Sequence, residues 1–187
     1  MNKNQKRITL IIVLILLLVA TGGAAHYFNN QELNQSEESM LGNENREYTL
    51  ENPPQFYEFP VLGKFEGTPA SINFSSDFND QDIKMFLEEK AKEGPNFAGH
   101  FVIASWGCGT ECQAFAIIDN ITGDVYFPDF VSEFGQEFRV DSNLLVINPP
   151  ATIKEVGDPG DWVYSAYYLW EDNQLTLLFD TRDVSVL

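Results

Sequence analysis

The chain has 187 residues, with 11 Lys and Arg against 28 Asp and Glu, a formal net charge of −17. That balance excludes nucleic acid as the main partner, because phosphate binding needs a Lys/Arg footprint. Two cysteines exclude a Cys₄ zinc site and a disulfide-dense small fold. An apolar share of 44% with 13% aromatic residues is enough for a packed core, and the length suits one domain with an appendage.

Residues 1–25 form a segment of their own. Lys3, Lys6 and Arg7 precede an apolar run from Ile8 to Ala25 that only Thr9 and Thr21 interrupt. As a helix the run would measure ~27 Å, near the lower limit for crossing a bilayer. The expectation is an uncleaved single-pass anchor in the cytoplasmic membrane. The alternative is a signal segment cut near Gly22–Ala25, giving a secreted or periplasmic protein. No Cys borders the run, which excludes a lipid anchor. Every acidic residue lies from Glu32 onward, so the positive-inside rule places the amino terminus in the cytoplasm and the rest outside. The exported part then carries a net −20.

Residues 26–55 read as a flexible acidic and polar tether, ending at Asn52-Pro53-Pro54. Residues 56–187 are expected to form an extracytoplasmic, mostly-β (α+β) domain: an antiparallel meander sheet or sandwich with one amino-terminal helix packed on it. Ile83, Phe86, Leu87 and Ala91 fall on one helical face, with Lys84, Glu88, Glu89 and Lys92 opposite. Asn79 or Asp80 caps the start, and Gly94-Pro95 stops it. Strands are predicted at 70–74, 100–106, 112–119, 124–127, 137–140, 144–148, 162–170 and 175–180. Their short connections make neighbours antiparallel. In the strand 162–170, Trp162, Tyr164, Ala166, Tyr168 and Trp170 share one face, read as core in preference to a sugar- or peptide-binding platform.

Three stretches stand out: Asn96-Phe-Ala-Gly-His100, Trp106-Gly-Cys-Gly-Thr-Glu-Cys-Gln113, and Ile117-Ile-Asp-Asn-Ile-Thr-Gly-Asp-Val-Tyr126. Together the chain resembles a family of bacterial envelope proteins sharing the pattern N-F-A-G-H-Y, W-G-C-G-T-x-C-Q and I-x-D-x-x-T-G-x-V-Y behind a signal or anchor. The likeness covers residues 56–130 best, and Phe101 stands where that pattern has Tyr. It implies a β fold and an envelope location, and no activity comes with it.

Outside the cytoplasm a disulfide between Cys108 and Cys112 is the default, at the tip of a predicted hairpin. The rival readings are a redox pair, whose spacing of three is unusual, and a Cys108 nucleophile with His100 as base, eight residues away on the same arm. The candidate binding tip comprises Trp106, Gly107, Gly109, Thr110, Glu111 and Gln113, with His100 and Asp119 as further candidates. Asp77, Asn79, Asp80, Asp82 and Glu88 partly imitate a calcium loop, but the sixth position lacks Gly, so helix capping explains them better. Asp158-Pro-Gly-Asp161 reads as a turn. No metal ion or cofactor is expected.

These features point to a non-catalytic, membrane-tethered binding domain that attracts basic envelope proteins or peptides by electrostatic steering. The alternative is an envelope enzyme using Cys108, or carboxylates such as Glu111 and Asp119, near the tip.

Overall fold

The computed structural model describes residues 47–182, except 158, 159 and 161. The predicted anchor, residues 26–46 of the tether and most of the turn predicted at 158–161 lie outside the described residues. Among the described residues no helix is long and apolar enough to cross a membrane.

Helix α1 spans Gln81–Lys92, as its spacing predicts. The Asp80 carboxylate accepts from the Ile83 amide at 3.0 Å, satisfying one of the orphan donors of the first turn. Gly94 follows the end at φ +85°, a left-handed position suited to a residue without a side chain. Leu87 and Ala91 are buried, with Ile83 and Phe86 beside them.

Strands β1 (Phe101–Gly109), β2 (Cys112–Asp119) and β3 (Val125–Tyr126) form an antiparallel sheet in that order. Alternation sorts the side chains of β1 and β2. Val102, Ala104, Ala116 and Ile118 face α1, while Phe101, Ile103, Phe115 and Ile117 face the other way. That second face meets Leu145, Ile147, Ala166 and Trp170 of a four-stranded antiparallel sheet, β4 (Gln136–Phe138), β5 (Leu144–Ile147), β6 (Ala166–Glu171) and β7 (Gln174–Asp180). The two meanders thus share one core. Trp170 is its hub, edge-on to Phe101 at 5.2 Å and to Tyr126 at 5.4 Å.

The outer face of the four-stranded sheet, with Leu144, Val146, Tyr167 and Phe179, is covered by Tyr48, Phe56 and Phe59. Pro54 is fully buried, and a short 3-10 helix at Phe56–Glu58 follows. Tyr48 and Pro54, which composition assigns to the tether, therefore pack as part of the fold, while Glu47 and residues 49–52 are exposed.

Other expectations differ in extent. Residues 70–74 make only a single parallel bridge, Asn73 with Asp124, and no strand. The strand predicted from Trp162 begins at Ala166, leaving Trp162 56% exposed, while Ala166, Tyr168 and Trp170 do turn into the core. A second helix, α2 (Pro150–Val156), occupies a stretch where none was predicted. Asn148 ends β5 at φ +49°. Its side-chain oxygen accepts from the Glu133 and Phe134 amides, both at 2.9 Å, and its amide donates to the Tyr164 carbonyl at 3.2 Å.

Candidate functional site

The turn Asn96–His100 explains much of the first distinctive stretch. Asn96 imitates a ladder partner: its amide donates to the Ile103 carbonyl at 3.0 Å and its oxygen accepts from the Ile103 amide at 2.8 Å. Phe97 fills the core, and Ala98 and Gly99 reverse the chain at φ +42° and +79°. Gly99 lies so close to the Gly63 carbonyl that a Cβ would sit 3.0 Å from it. The Gly99 amide donates to the Val140 carbonyl at 2.7 Å, and its own carbonyl accepts from Phe65 at 2.9 Å. Three segments distant in sequence are sewn together at this point.

His100 emerges from that turn. Its ring lies 4.0 Å from the Phe101 ring, its side chain is 34% exposed, and its Nε2 stands 3.8 Å from Asp119 Oδ1. The Asp119 carboxylate is buried and already accepts from the Ile121 amide at 2.7 Å and the Thr122 amide at 3.3 Å. It therefore shapes the β2–β3 connection and at the same time faces the imidazole. Close by, burial first, then the Asp124 and Asp119 carboxylates, push the Tyr126 hydroxyl above its ordinary pKa.

Around His100 opens a cleft of about 710 Å³, within the size range of small-molecule and peptide sites. Val61–Phe65, the 98–100 turn, Ile121 and the β6–β7 turn at Glu171–Asn173 form its walls, with Phe101 and Trp170 contributing aromatic surface. Leu62, 88% exposed, and Ile121, 54% exposed, leave apolar groups open to solvent beside it. Lys64 and His100 supply its basic groups, Glu171 and Asp172 its acidic ones. The lining includes no Ser, Thr or Cys, so the histidine–aspartate pair has no hydroxyl or thiol nucleophile of that kind in the cleft.

The cysteine tip lies at the other end of the sheet. Cys108 and Cys112 are disulfide-bonded with Cα atoms 5.1 Å apart, which removes both thiols from nucleophilic chemistry. Gly107, Gly109, Thr110 and Glu111 are exposed. Trp106 instead packs edge-on against Phe86 at 6.0 Å, and the Gln113 backbone pairs with Ser132, so these two serve packing and pairing. The β1–β2 register runs from Phe101 opposite Asp119 to Gly109 opposite Cys112. Eight residues of strand, about 26 Å, separate His100 from Cys108. The pairing of Cys108 with His100 is thereby ruled out, and so is that of Glu111 with Asp119, since the same strands hold each pair's members at opposite ends. What the fold brings together is His100 with Asp119.

Sequence reasoning named His100 and Asp119 as separate candidates, each with a different partner, and missed both their pairing and the cleft around them. Val61–Phe65 and Glu171–Asn173 carry no motif, and only the fold places them beside His100. A smaller hollow of about 300 Å³ lies elsewhere, beside the stacked rings of Phe74, Phe78 and Phe127. Among the described residues no group of three or more His, Cys, Asp or Glu is placed to hold a metal ion. Asp80, part of the calcium-like stretch, is engaged in capping α1. Comparison of the chain with protein-family models, with curated proteins and with solved structures finds no match in any of the three.

Proposed function

We propose that the chain is a non-catalytic binding domain, tethered to the outer side of a bacterial cytoplasmic membrane through residues 8–25, that takes basic proteins or peptides. The observation that carries this reading is the cleft beside His100, where apolar side chains lie open to solvent among polar groups. A concave, mostly preformed surface of this kind suits a ligand better than the exposed glycine-rich tip does. The partner's charge follows from the molecule's own: a net −17 steers cations toward it over long range. The disulfide-bonded tip is then a rigid end to the β1–β2 hairpin and no longer the first choice for the binding surface.

The test is capture of immobilised basic and acidic peptides by the full chain in detergent, at low and moderate salt. Basic bait is expected to bind more tightly, more so at low salt, and Leu62→Asp is expected to weaken capture about tenfold. Equal capture of both baits without salt dependence would sink the electrostatic part. Undiminished capture by the Leu62 variant, with loss on changing Thr110 or Glu111, would return the site to the tip.

A further inference from the structure

A folded β protein must dispose of its sheet edges, because each presents unpaired N–H and C=O groups to any passing strand. This molecule covers or shortens several of its own. On the outer edge of β1, Phe101 is paired with Phe97 and Ile103 with the Asn96 side chain. Edge strand β3 is only two residues long. Edge strand β4 is three residues long, and the chain just beyond it is sewn to the 98–99 turn through the Arg139 and Val140 carbonyls.

Strand β7 differs. It is the last strand of its sheet and seven residues long, and among the described residues no backbone group pairs with the outer side of its stretch Gln174–Phe179. The outward-facing groups can be identified. The Trp170 amide donates across to Asn143, so Trp170 and its partner Leu175 are not bonded to each other. Antiparallel alternation then turns the N–H and C=O of Leu175, and two residues on those of Leu177, away from β6. Gln174, Thr176 and Leu177 are exposed, Leu177 at 44%. The stretch Gln174–Phe179 contains no Lys, Pro or charged side chain, which are the usual guards of an open edge.

We propose that the outer edge of β7 accepts an extended basic segment of a partner polypeptide as an added strand. Backbone hydrogen bonds to Leu175 and Leu177 would supply affinity, and side-chain contacts with Leu177 some selectivity. The charge of the occupant is set at the turn end, where exposed Glu171 and Asp172 lead into the edge with no basic residue from Glu171 to Asp180. A second copy of the chain would bring its own −17 and its own Glu171 and Asp172 to the seam, so a cationic partner fits and self-pairing does not. The same turn lines the cleft, which makes the edge continuous with that site. The proposal rests on the preceding reading for the sign of the partner's charge, and it adds the mode of recognition.

The experiment is residue-resolved amide exchange on the full chain in detergent, with three synthetic peptides. One alternates Val and Thr with two Lys at one end, the second has Glu in place of Lys, and the third has a central Pro. The Lys peptide is expected to slow exchange of the Leu175 and Leu177 amides at least tenfold. The Glu peptide should bind at least tenfold more weakly, and the Pro peptide should leave both amides fast. Leu177→Pro, which removes one outward N–H, should abolish the protection. Should that variant fail to fold, Leu177→Lys, which sets a cation at the seam, should weaken binding of the Lys peptide at least tenfold. Protection confined to the Gly63 and Lys64 amides would overturn the edge proposal and leave the cleft reading standing. Protection at Leu175 and Leu177 alone supports the edge and removes the cleft. Protection that rises with protein concentration without peptide would show that the edge serves a second copy, and would overturn the proposal.

Discussion

Gly123 and Gly94 form a controlled pair at the scale of single residues. Both have left-handed backbones, φ +83° and +85°, so an alanine at either carries the same conformational penalty, about 1 kcal/mol. Their surroundings differ. A Cβ on Gly94 would meet nothing within 4 Å, whereas one on Gly123 would fall 2.0 Å from the Ser71 carbonyl oxygen. Ser71 is held in place, because the neighbouring Asn73 amide donates to the Gly123 carbonyl at 2.8 Å. Gly94→Ala should therefore cost about 1 kcal/mol in urea unfolding, and Gly123→Ala about 3 kcal/mol, through the forced backbone shift. Equal midpoints for the two variants would show that the contact with Ser71 yields freely. The glycine of the third distinctive stretch was visible in the sequence as part of a hairpin connection. Its reason was not, because Ser71 lies fifty-two residues away and carries no signal of its own.

Elements were legible in proportion to their periodicity. α1 has apolar residues at the helical spacing with a cap at one end and a glycine at the other, and it forms where predicted. β1 and β2 alternate cleanly between two buried faces and also form, β1 extending beyond its predicted end to Gly109. α2 was missed because Pro149-Pro150 reads as a break, yet Pro150 occupies the first turn, where a missing N–H costs nothing. The start of β6 was misplaced because aromatic alternation continues back to Trp162. In the fold the Val163 amide donates to the Gly160 carbonyl, closing a turn there. The β1–β2 hairpin invites the test of its disulfide. A loop this short stabilises by about 2 kcal/mol in the chain-entropy view. Replacing both Cys108 and Cys112 with Ser should lower Tm by about 6 °C for a domain of this size and leave the β1–β2 register intact. An alkylating reagent should label neither cysteine of the native protein until reductant is added. Rapid labelling of one cysteine in the unreduced protein would reopen the thiol chemistry that the bond closes.

For the whole molecule, two meanders sharing one core place the ends of their hairpins far apart, and this separates the tip from the cleft. The sequence placed His100 and Asp119 among its candidates because they sit in distinctive stretches. It could not show the cleft, whose walls come from loops between about residue 61 and residue 173 that only packing assembles. The proposed location rests on an equally long-range pattern. Three of the eleven basic residues precede the apolar run and all 28 acidic residues follow it, and the proposed carboxy-terminal domain outside the cytoplasm rests on that asymmetry. A bonded Cys108–Cys112 pair is consistent with that side, since cytosolic thiols are kept reduced. If residues 8–25 remain as an anchor, the full chain should stay with membranes through an alkaline carbonate wash. Its intact mass should then include the amino-terminal segment. Protease added to spheroplasts should digest the folded domain, because that domain would lie beyond the cytoplasmic membrane. A soluble product beginning near His26 would show that the segment is a cleaved signal, leaving the export direction unchanged but removing the tether from the proposed function. Protection of the domain until the cytoplasmic membrane is broken would reverse the orientation, and the tethered-receptor reading would go with it.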